Sequence, residues 1–428
     1  MKLLYPGAVG PQVQLLQLAL LRAGYPPGAL DGVFGVKSLN ALRRFQRSQG
    51  LTPDGVAGPA THAALRPWYT GYVRHTLRPG ETFYRLALRY GSTVGAIELA
   101  NPGLDPLDLR PGGVVTVPLS FAVVPLEIDW CSPLLAFCCE GLRARYPALR
   151  LGGIGAGVLG SPLWRLTLGE GEGRALVNAC HHANEWITTP LLLAFAEELA
   201  QAMAWGERIG GVDARALIEG RTLAILPCVN PDGMDLVTGD LTGTAAYARA
   251  GAIAASYPEF PFPAGWKANI EGVDLNLQYP AGWEEARRIK FAQGFVSPAP
   301  RDYVGEAPLS APESRAVYNF TRSFDPALTV SLHTQGEVIY WKYQDLEPPG
   351  AREIALRMAR ASGYAVEDVP YASGFAGYKD WFVLAYLRPG FTVELGRGEN
   401  PLPISEAQSI YPDLRAMLLE ALLAVEQG

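Results

Sequence analysis

A histidine and a glutamate three residues apart, His182 and Glu185, are the residues whose types and spacing most directly suggest chemistry. They follow an apolar run, residues 174–180, that predicts a buried strand, and they precede residues 188–202, whose pattern predicts a helix. A single turn of chain at such a junction can aim both side chains at one cation. Imidazole and carboxylate groups are common ligands of zinc. Alone, the pair is about as consistent with a structural role as with metal binding.

The third ligand has few candidates, because the chain contains only 5 histidines. A catalytic zinc site uses three protein ligands and leaves one position open for water. His333 ends an apolar, strand-like run and is the best candidate. His181, beside the first ligand, is expected to point the other way.

Length and composition predict two or three domains. The chain has 428 residues and 49% hydrophobic content, enough to bury large cores. Its net charge of -6 comes without long single-sign runs, so nucleic acid and anionic membrane surfaces are not expected partners. The sequence predicts neither a signal peptide nor a transmembrane segment.

The cysteines are interpreted as buried small hydrophobic residues. There are 5 of them, an odd number, and Cys180 and Cys228 lie inside apolar runs. A bridge from Cys131 to Cys138 or Cys139 is the open alternative.

Residues 1–67 contain an internal repeat of an Asp-Gly turn, a second glycine and a helix, first at residues 31–42 and again at 54–65. A further helical pattern precedes the first copy, which predicts a small three-helix domain. The unit resembles the peptidoglycan-binding type 1 domain. Its Leu-Gln helix, Asp-Gly-x-Phe-Gly turn and Phe-Gln pair correspond to residues 16–17, 31–35 and 45–46. A helical cap without a ligand is the alternative.

Residues 72–119 predict a second compact unit with the order strand, helix, helix, strand. Thr82 is placed to cap the first helix, Gly91 to end it, and Ser92 or Thr93 to start the second. The unit is similar to a LysM domain, which implies binding to the N-acetylglucosamine strands of peptidoglycan or chitin. Two unrelated small modules therefore indicate the same polymer.

Residues 120–428 alternate strand-like and helical patterns, which predicts an α/β domain with a mixed, mostly parallel sheet flanked by helices. Strands are expected near residues 175–180, 222–229, 273–276, 328–333 and 391–395. Ligands of such sheets collect beyond the C-terminal strand ends. Polar residues at or just after these ends are His182, Asn230, Asn276, His333 and Glu394.

These motifs, in this order, resemble the zinc metallocarboxypeptidase family. The match consists of His182 to Glu185, Asn230 to Gly233, Asp274 to Asn276, His333 and Glu394. The resemblance implies one zinc ion held by His182, Glu185 and His333. It implies that Glu394 is the general base that takes a proton from water and returns it to the leaving amine. Asp274 would accept the other ring N–H of His182 and fix its tautomer.

Lys267 stands where the family usually has an arginine that stabilises negative charge on the reacting carbonyl oxygen. A lysine supplies the charge but not a bidentate fork. A solvated surface lysine is the alternative.

The substrate is indicated by a departure from the family. Enzymes that trim free C-termini carry an arginine where this chain has Leu277, and that arginine grips the terminal carboxylate. The residues around Asn276 and His333 look like the bacterial branch of γ-D-glutamyl-L-diamino acid endopeptidases, which cut peptidoglycan stem peptides. The resemblance implies that Asn276, Lys379 and either Tyr371 or Tyr378 bind substrate; an exposed loop lysine is the alternative for Lys379.

The sequence therefore predicts a zinc-dependent peptidase of the γ-D-glutamyl-diamino acid bond, held on glycan strands by its N-terminal modules. A general zinc carboxypeptidase and a non-catalytic wall-binding protein are the alternatives. The location is left open, because the wall-binding modules indicate contact with the cell wall, whereas the absence of a signal peptide and the unpaired cysteines indicate the cytoplasm.

Overall fold

The computed structural model describes residues 1–427, which form two compact units, Met1–Leu151 and a second that begins at Gly152. Each unit has its own core. No helix among the described residues combines the length and the apolar character needed to cross a membrane.

The first unit contains the two small modules and one further helix. Its elements are α1 (Pro11–Arg22), α2 (Val36–Ser48), α3 (Pro59–Thr70), β1 (Tyr72–Thr76), α4 (Phe83–Tyr90), α5 (Val94–Ala100), β2 (Val114–Pro118) and α6 (Ser132–Arg145). The predicted three-helix arrangement and the βααβ order of the second module are both present. The predicted domain bounds, 1–67, 72–119 and 120–428, remain a proposal; helix α6 lies in the first unit and packs on α3.

The sequence repeat is held by two equivalent glutamines. Gln17, 1% exposed, donates through Nε2 to Asp31 and accepts from the backbone N–H of Gly32. Gln46, also 1% exposed, makes the same pair of contacts with Asp54 and Gly55. Each repeat therefore folds an Asp-Gly turn around one buried amide, because a buried side-chain amide must satisfy both its donor and its acceptor.

The LysM-like module has the predicted caps. Thr82 accepts from Arg85 N at the start of α4, and Gly91 ends that helix in the left-handed conformation. Thr93 accepts from Ala96 N and starts α5. Strands β1 and β2 pair antiparallel from Tyr72 with Pro118 to Thr76 with Val114.

The second unit is an α/β domain. Its strands are β3 (Arg150–Ala156), β4 (Pro162–Gly169), β5 (Gly173–Ala179), β6 (Arg208–Ile209), β7 (Val212–Asp213), β8 (Arg221–Leu226), β9 (Leu328–His333), β10 (Val338–Tyr340), β11 (Ala365–Glu367) and β12 (Gly390–Glu394). Its helices are α7 (Thr188–Trp205), α8 (Ala214–Ile218), α9 (Pro231–Val237), α10 (Ala245–Ala254), α11 (Trp283–Ala292), α12 (Pro312–Phe324), α13 (Ala351–Ser362), α14 (Tyr378–Tyr386) and α15 (Ala407–Leu423).

Eight strands form the main sheet, in the order β11-β10-β12-β9-β5-β8-β4-β3. The four central strands, β12, β9, β5 and β8, run parallel to one another. Strand β10 pairs antiparallel with β12, and β4 pairs antiparallel with β8. The predicted mixed, mostly parallel sheet is thus confirmed, and the C-terminal ends of its central strands meet at one edge.

One predicted strand is wrong. Residues 273–276 lie in a turn that ends in a 3-10 helix, Leu275–Leu277. The side chain of Asp274 accepts from Asn276 N, and a carboxylate that bonds the backbone two residues on folds the chain into a turn. The prediction that the cysteines are buried and form no disulfide framework is confirmed, since none of the five takes part in a disulfide within residues 1–427 and all five are buried.

Candidate metal centre and active site

Three side chains converge at the C-terminal edge of the central strands. His182 Nδ1 lies 2.9 Å from Glu185 Oε1, and His333 Nδ1 lies 2.9 Å from Glu185 Oε2. The two imidazole Nδ1 atoms are 3.2 Å apart. Together the three residues form a group able to hold a metal ion.

The backbone positions these ligands through neighbouring strands. Strand β5 is parallel to β9, so His182, just beyond the end of β5, and His333, the last residue of β9, reach the same edge. A 3-10 turn, Ala183–Glu185, then returns Glu185 toward both imidazoles. Cys180 N donates to Thr188 Oγ1 at the start of α7, which ties the ligand segment to the following helix.

The donor set fits zinc. Tetrahedral zinc with bonds of roughly 2.0–2.1 Å places its ligand atoms about 3.3 Å apart. The observed separations of 2.9 Å and 3.2 Å are close to this value. Without a cation, two imidazole Nδ1 atoms facing each other would need a proton between them, whereas a metal ion satisfies both lone pairs and the carboxylate together.

Asp274 lies behind the first ligand. Its Oδ1 atom is 3.2 Å from His182 Nε2, the ring nitrogen opposite the ligating one. Its Oδ2 atom accepts from Asp302 N at 3.1 Å. The carboxylate is therefore held in place by the backbone and orients the His182 ring, as carboxylates bonded to the far ring nitrogen of a metal-binding histidine do. His181 points elsewhere, with Nε2 2.9 Å from Tyr279 OH.

Glu394 is the last residue of β12 and lies beside the ligands. It is half-buried, and its register partner on β9 is His333. Burial raises the pKa of Glu394, and the neighbouring His333 opposes that rise. A carboxylate on a rigid strand end next to an open metal position has the placement that a general base requires.

The Lys267 side chain is only 17% exposed, with its ammonium group among the candidate ligands. Its Nζ atom donates to Glu185 Oε1 at 2.9 Å, and its carbonyl accepts from Ala183 N. Burial lowers the pKa of Lys267, but the Glu185 carboxylate raises it by more, so the side chain keeps its charge. The alternative of a solvated surface lysine does not fit this burial.

The charges at the centre favour a cation. Burial raises the pKa of Glu185, but the facing charges of His182 and Lys267 lower it by more, to well below its usual value. Burial lowers the pKa of His182, whereas Glu185 and Asp274 raise it, with a net rise to about 9. Two carboxylates thus stabilise positive charge where the three donors meet.

A cavity opens over the metal site, and several predicted residues line it. They include His182, Lys267, Asp274, Asn276, Leu277, Lys379 and Glu394. Asn276 Oδ1 accepts from Tyr378 N. Lys379 is 4% exposed and is not a loop lysine in solvent; its Nζ atom donates to Asp380 and to the carbonyl of Lys342.

Neither of the two candidate tyrosines is among the described residues that line the cavity over the metal group. Tyr378 is fully buried in the core, where its hydroxyl lies 3.0 Å from Thr321 Oγ1. Tyr371 is 62% exposed, and its hydroxyl donates to Glu285. Their role in substrate binding remains a proposal.

Sequence reasoning missed four polar residues of this cavity: Lys290, Arg301, Asp302 and Tyr340. Asp302 accepts from both Lys290 and Arg301. None of the four belongs to a quoted motif. The scarcity of lysine in the chain was the one signal that could have drawn attention to Lys290.

Comparison with known proteins agrees with this geometry. Residues 136–412 match the model of the zinc carboxypeptidase family. Residues 9–65 match the putative peptidoglycan binding domain, and residues 75–118 match the LysM domain. The chain therefore belongs to the zinc carboxypeptidase family, whose members use a single zinc ion, and it is a metallopeptidase.

The chain is 43% identical over 281 residues to gamma-D-glutamyl-L-diamino acid endopeptidase 1 of Lysinibacillus sphaericus, covering 66% of this chain and 69% of that protein. It is 38% identical over 280 residues to the protein YqgT of Bacillus subtilis (strain 168), covering 65% of this chain and 73% of that protein. Among solved structures, carboxypeptidase A from Helicoverpa armigera has a TM-score of 0.52 at 16% identity, covering 83% of this chain and 98% of that chain. That likeness shows the fold.

Proposed function

We propose that this metallopeptidase hydrolyses the amide bond between the side-chain carboxyl of D-glutamate and a diamino acid in peptidoglycan stem peptides. The activity that gives the Lysinibacillus sphaericus relative its name, at 43% identity, supports this substrate. The two N-terminal domain matches support the same polymer.

The observation that carries the proposal is the position of Leu277. Its side chain lines the cavity together with His182 and Glu394. Family members that trim free C-termini have an arginine there, which grips the terminal carboxylate. An apolar leucine offers no charge to that group, so the substrate must be recognised through other contacts.

The chemistry follows from the donors and the base. His182, Glu185 and His333 would hold a zinc ion, which would supply a Lewis acid that lowers the pKa of a water molecule and polarises the scissile carbonyl. Glu394 accepts the water proton and delivers it to the departing amine of the diamino acid. Lys267 offers positive charge next to the carbonyl oxygen, where negative charge develops.

The N-terminal modules act by raising the local concentration of substrate. Weak binding of two linked modules to one polymer makes the catalytic encounter effectively intramolecular. We expect them to increase activity on intact sacculi and to leave activity on small fragments unchanged.

Digestion of defined muropeptides tests the proposal. The purified chain with zinc is given L-Ala-γ-D-Glu-meso-diaminopimelate, its lysine analogue, and ordinary L-peptides with free C-termini, and the products are identified by mass spectrometry. We expect release of L-Ala-D-Glu from the stem peptides. Release of C-terminal residues from ordinary peptides alone would support a general carboxypeptidase, and no hydrolysis by a zinc-loaded chain would support a wall-binding role.

A further inference from the structure

Arg301 lies at the junction of two cavities. One contains the metal ligand His182, and the other continues past Glu394 toward Asn184 and Asn400. The residues common to both cavities are Lys267, Arg301, Tyr340 and Glu394. A substrate that extends to both sides of the cut bond therefore passes Arg301.

At this part of the cavity wall, Lys290, Arg301 and Asp302 carry one net positive charge between them. Lys290 and Arg301 both donate to the same carboxylate, that of Asp302. Arg301 uses only Nε for this contact, at 2.7 Å, and its two terminal amino groups have no hydrogen-bond partner among residues 1–427. Two cations share one anion, so one positive charge and one free guanidinium edge remain.

The guanidinium is also held in position. Its Cζ atom lies 5.5 Å from the centroid of the Phe260 ring. The carbonyl of Pro300 accepts from the backbone N–H groups of Lys267 and Ala268, which fixes the start of this segment beside the active site. A stacked, paired guanidinium loses little further freedom when it binds a ligand.

The chemical group that fits a free guanidinium edge is a carboxylate, which accepts two parallel N–H bonds. Lys379, the other basic candidate, is already neutralised by Asp380 and bonded to a carbonyl. We propose that Arg301 binds a carboxylate of the stem peptide next to the bond that is cut, and so replaces the charge that Leu277 cannot supply. This inference rests on the proposed function.

Two groups of the substrate carry that chemistry. A glutamate linked through its side chain keeps a free α-carboxylate on the acyl side of the cut bond. The diamino acid has its own carboxylate on the amine side. Replacing either carboxylate by an amide removes its charge and half of its acceptors while keeping its size.

The test measures kcat/KM for three forms of L-Ala-γ-D-Glu-diamino acid: the unmodified peptide, the peptide amidated on the glutamate α-carboxylate, and the peptide amidated on the diamino acid carboxylate. Each is cleaved by the zinc-loaded full chain and by Arg301→Gln, Arg301→Lys and Arg322→Gln. Arg322 is exposed and is the matched control. Zinc content and thermal unfolding are measured for every variant.

We expect Arg301→Gln to lose about 10- to 100-fold in kcat/KM on the unmodified peptide, mainly through KM, because a charge-assisted bidentate contact is lost. Arg301→Lys should recover part of that loss. Amidation of the carboxylate that Arg301 binds should lower kcat/KM of the wild-type chain by a similar factor. It should leave kcat/KM of Arg301→Gln almost unchanged.

If amidation of one carboxylate abolishes the difference in kcat/KM between wild type and Arg301→Gln, that carboxylate is the one that Arg301 binds. The proposal is supported whether this is the glutamate carboxylate or the diamino acid carboxylate. Equal losses for Arg301→Gln on all three peptides would overturn it, as would wild-type activity of Arg301→Gln. If the variant does not fold, indifference of the wild-type chain to both amides overturns the proposal by itself. Failure of the wild-type chain to cleave any of the three peptides would instead reject the proposed function.

Discussion

Glu394 and His333 lie directly opposite each other in the pairing of parallel strands β12 and β9. The bond from Leu395 N to the carbonyl of His333, 2.8 Å long, locks that register at the strand ends. The proposed general base and a proposed metal ligand are thus held opposite each other on adjacent strands of one sheet. Because side chains alternate between faces, a register shift of one residue would send Glu394 to the other face of the sheet.

Glu394→Gln should abolish hydrolysis and retain zinc. The amide keeps the size of the side chain but cannot accept a proton, so we expect a loss of at least about 10²–10⁴-fold in kcat, the usual contribution of general acid–base catalysis. Glu367→Gln, an exposed glutamate on strand β11 of the same sheet, is the matched control. Muropeptide turnover and metal analysis provide the measurements. Near wild-type turnover in Glu394→Gln would show that another group is the base.

His333→Ala should lose both zinc and activity. Removal of one of three ligands opens the site, and Glu185 then lacks one of the donors that face it. Zinc added to the chelated wild-type chain should raise the unfolding free energy by about 3 kcal/mol when its free concentration is 100 times the Kd. The same addition should leave the melting temperature of His333→Ala unchanged. A wild-type chain that neither melts higher with zinc nor recovers activity after chelation would contradict the metal assignment.

The sequence was sufficient for the parts of the site that lie in short motifs on regular elements. His182 and Glu185 share one turn, and His333 and Glu394 end apolar runs that form strands of the predicted kind. The spacing of apolar residues in a segment and the position where the segment ends are local properties of the chain, so they can be recognised without a structure.

The sequence was insufficient where a side-chain contact outweighs the hydrophobic pattern, or where a tertiary contact decides which residues are partners. Residues 273–276 have an apolar, strand-like pattern, but the Asp274 carboxylate folds them into a turn. The role proposed for Arg301 depends on a partner that it shares with Lys290, which lies 11 positions earlier in the chain. Both side chains donate to the carboxylate of Asp302. Tyr378 is a candidate only through the resemblance to the family, and its burial follows from helix α14 packing on β9 and β12.

Glu313→Gln should change the pH dependence of stability. Glu313 is fully buried at the start of α12, and burial raises its pKa to about 7 from a usual value of 4.5. The folded chain therefore binds this proton more tightly than the unfolded chain. Its contribution to stability is fully present below pH 4.5 and is lost as the pH rises to about 7, at a cost of about 3 kcal/mol.

Glu313→Gln removes the cost of ionising a buried carboxyl group, and it also removes one hydrogen bond. Asn269 Nδ2 donates to Glu313. Asn269 Oδ1 already accepts from two backbone N–H groups, so it is not available to accept a hydrogen bond from the NH₂ group of a glutamine at position 313. We expect Glu313→Gln to be about 2 kcal/mol more stable than wild type at pH 8 and about 1 kcal/mol less stable at pH 4. Urea unfolding from pH 4 to 8 measures this difference, with the exposed Glu353→Gln as control. A difference that does not vary with pH would refute the assignment.

Gln17→Leu and Gln46→Leu should destabilise the chain by similar amounts. Each substitution leaves a buried glycine N–H without its acceptor and removes the donor to an aspartate and a backbone carbonyl. Unsatisfied buried groups of this kind cost about 1–3 kcal/mol each. Gln49→Leu is the matched control, because Gln49 is exposed and its side chain bonds only Ser48 within the described residues.

The readout separates stability from function. Melting temperature and binding to isolated sacculi should both fall in Gln17→Leu and Gln46→Leu, while turnover of a small muropeptide at low temperature should stay at the wild-type level. The reason is that both glutamines lie in the first unit and the metal ligands lie in the second. Unequal destabilisation by the two substitutions would show that the two repeats are not equivalent in energy. Loss of muropeptide turnover in either variant would show that the fold of the first unit is needed for catalysis itself.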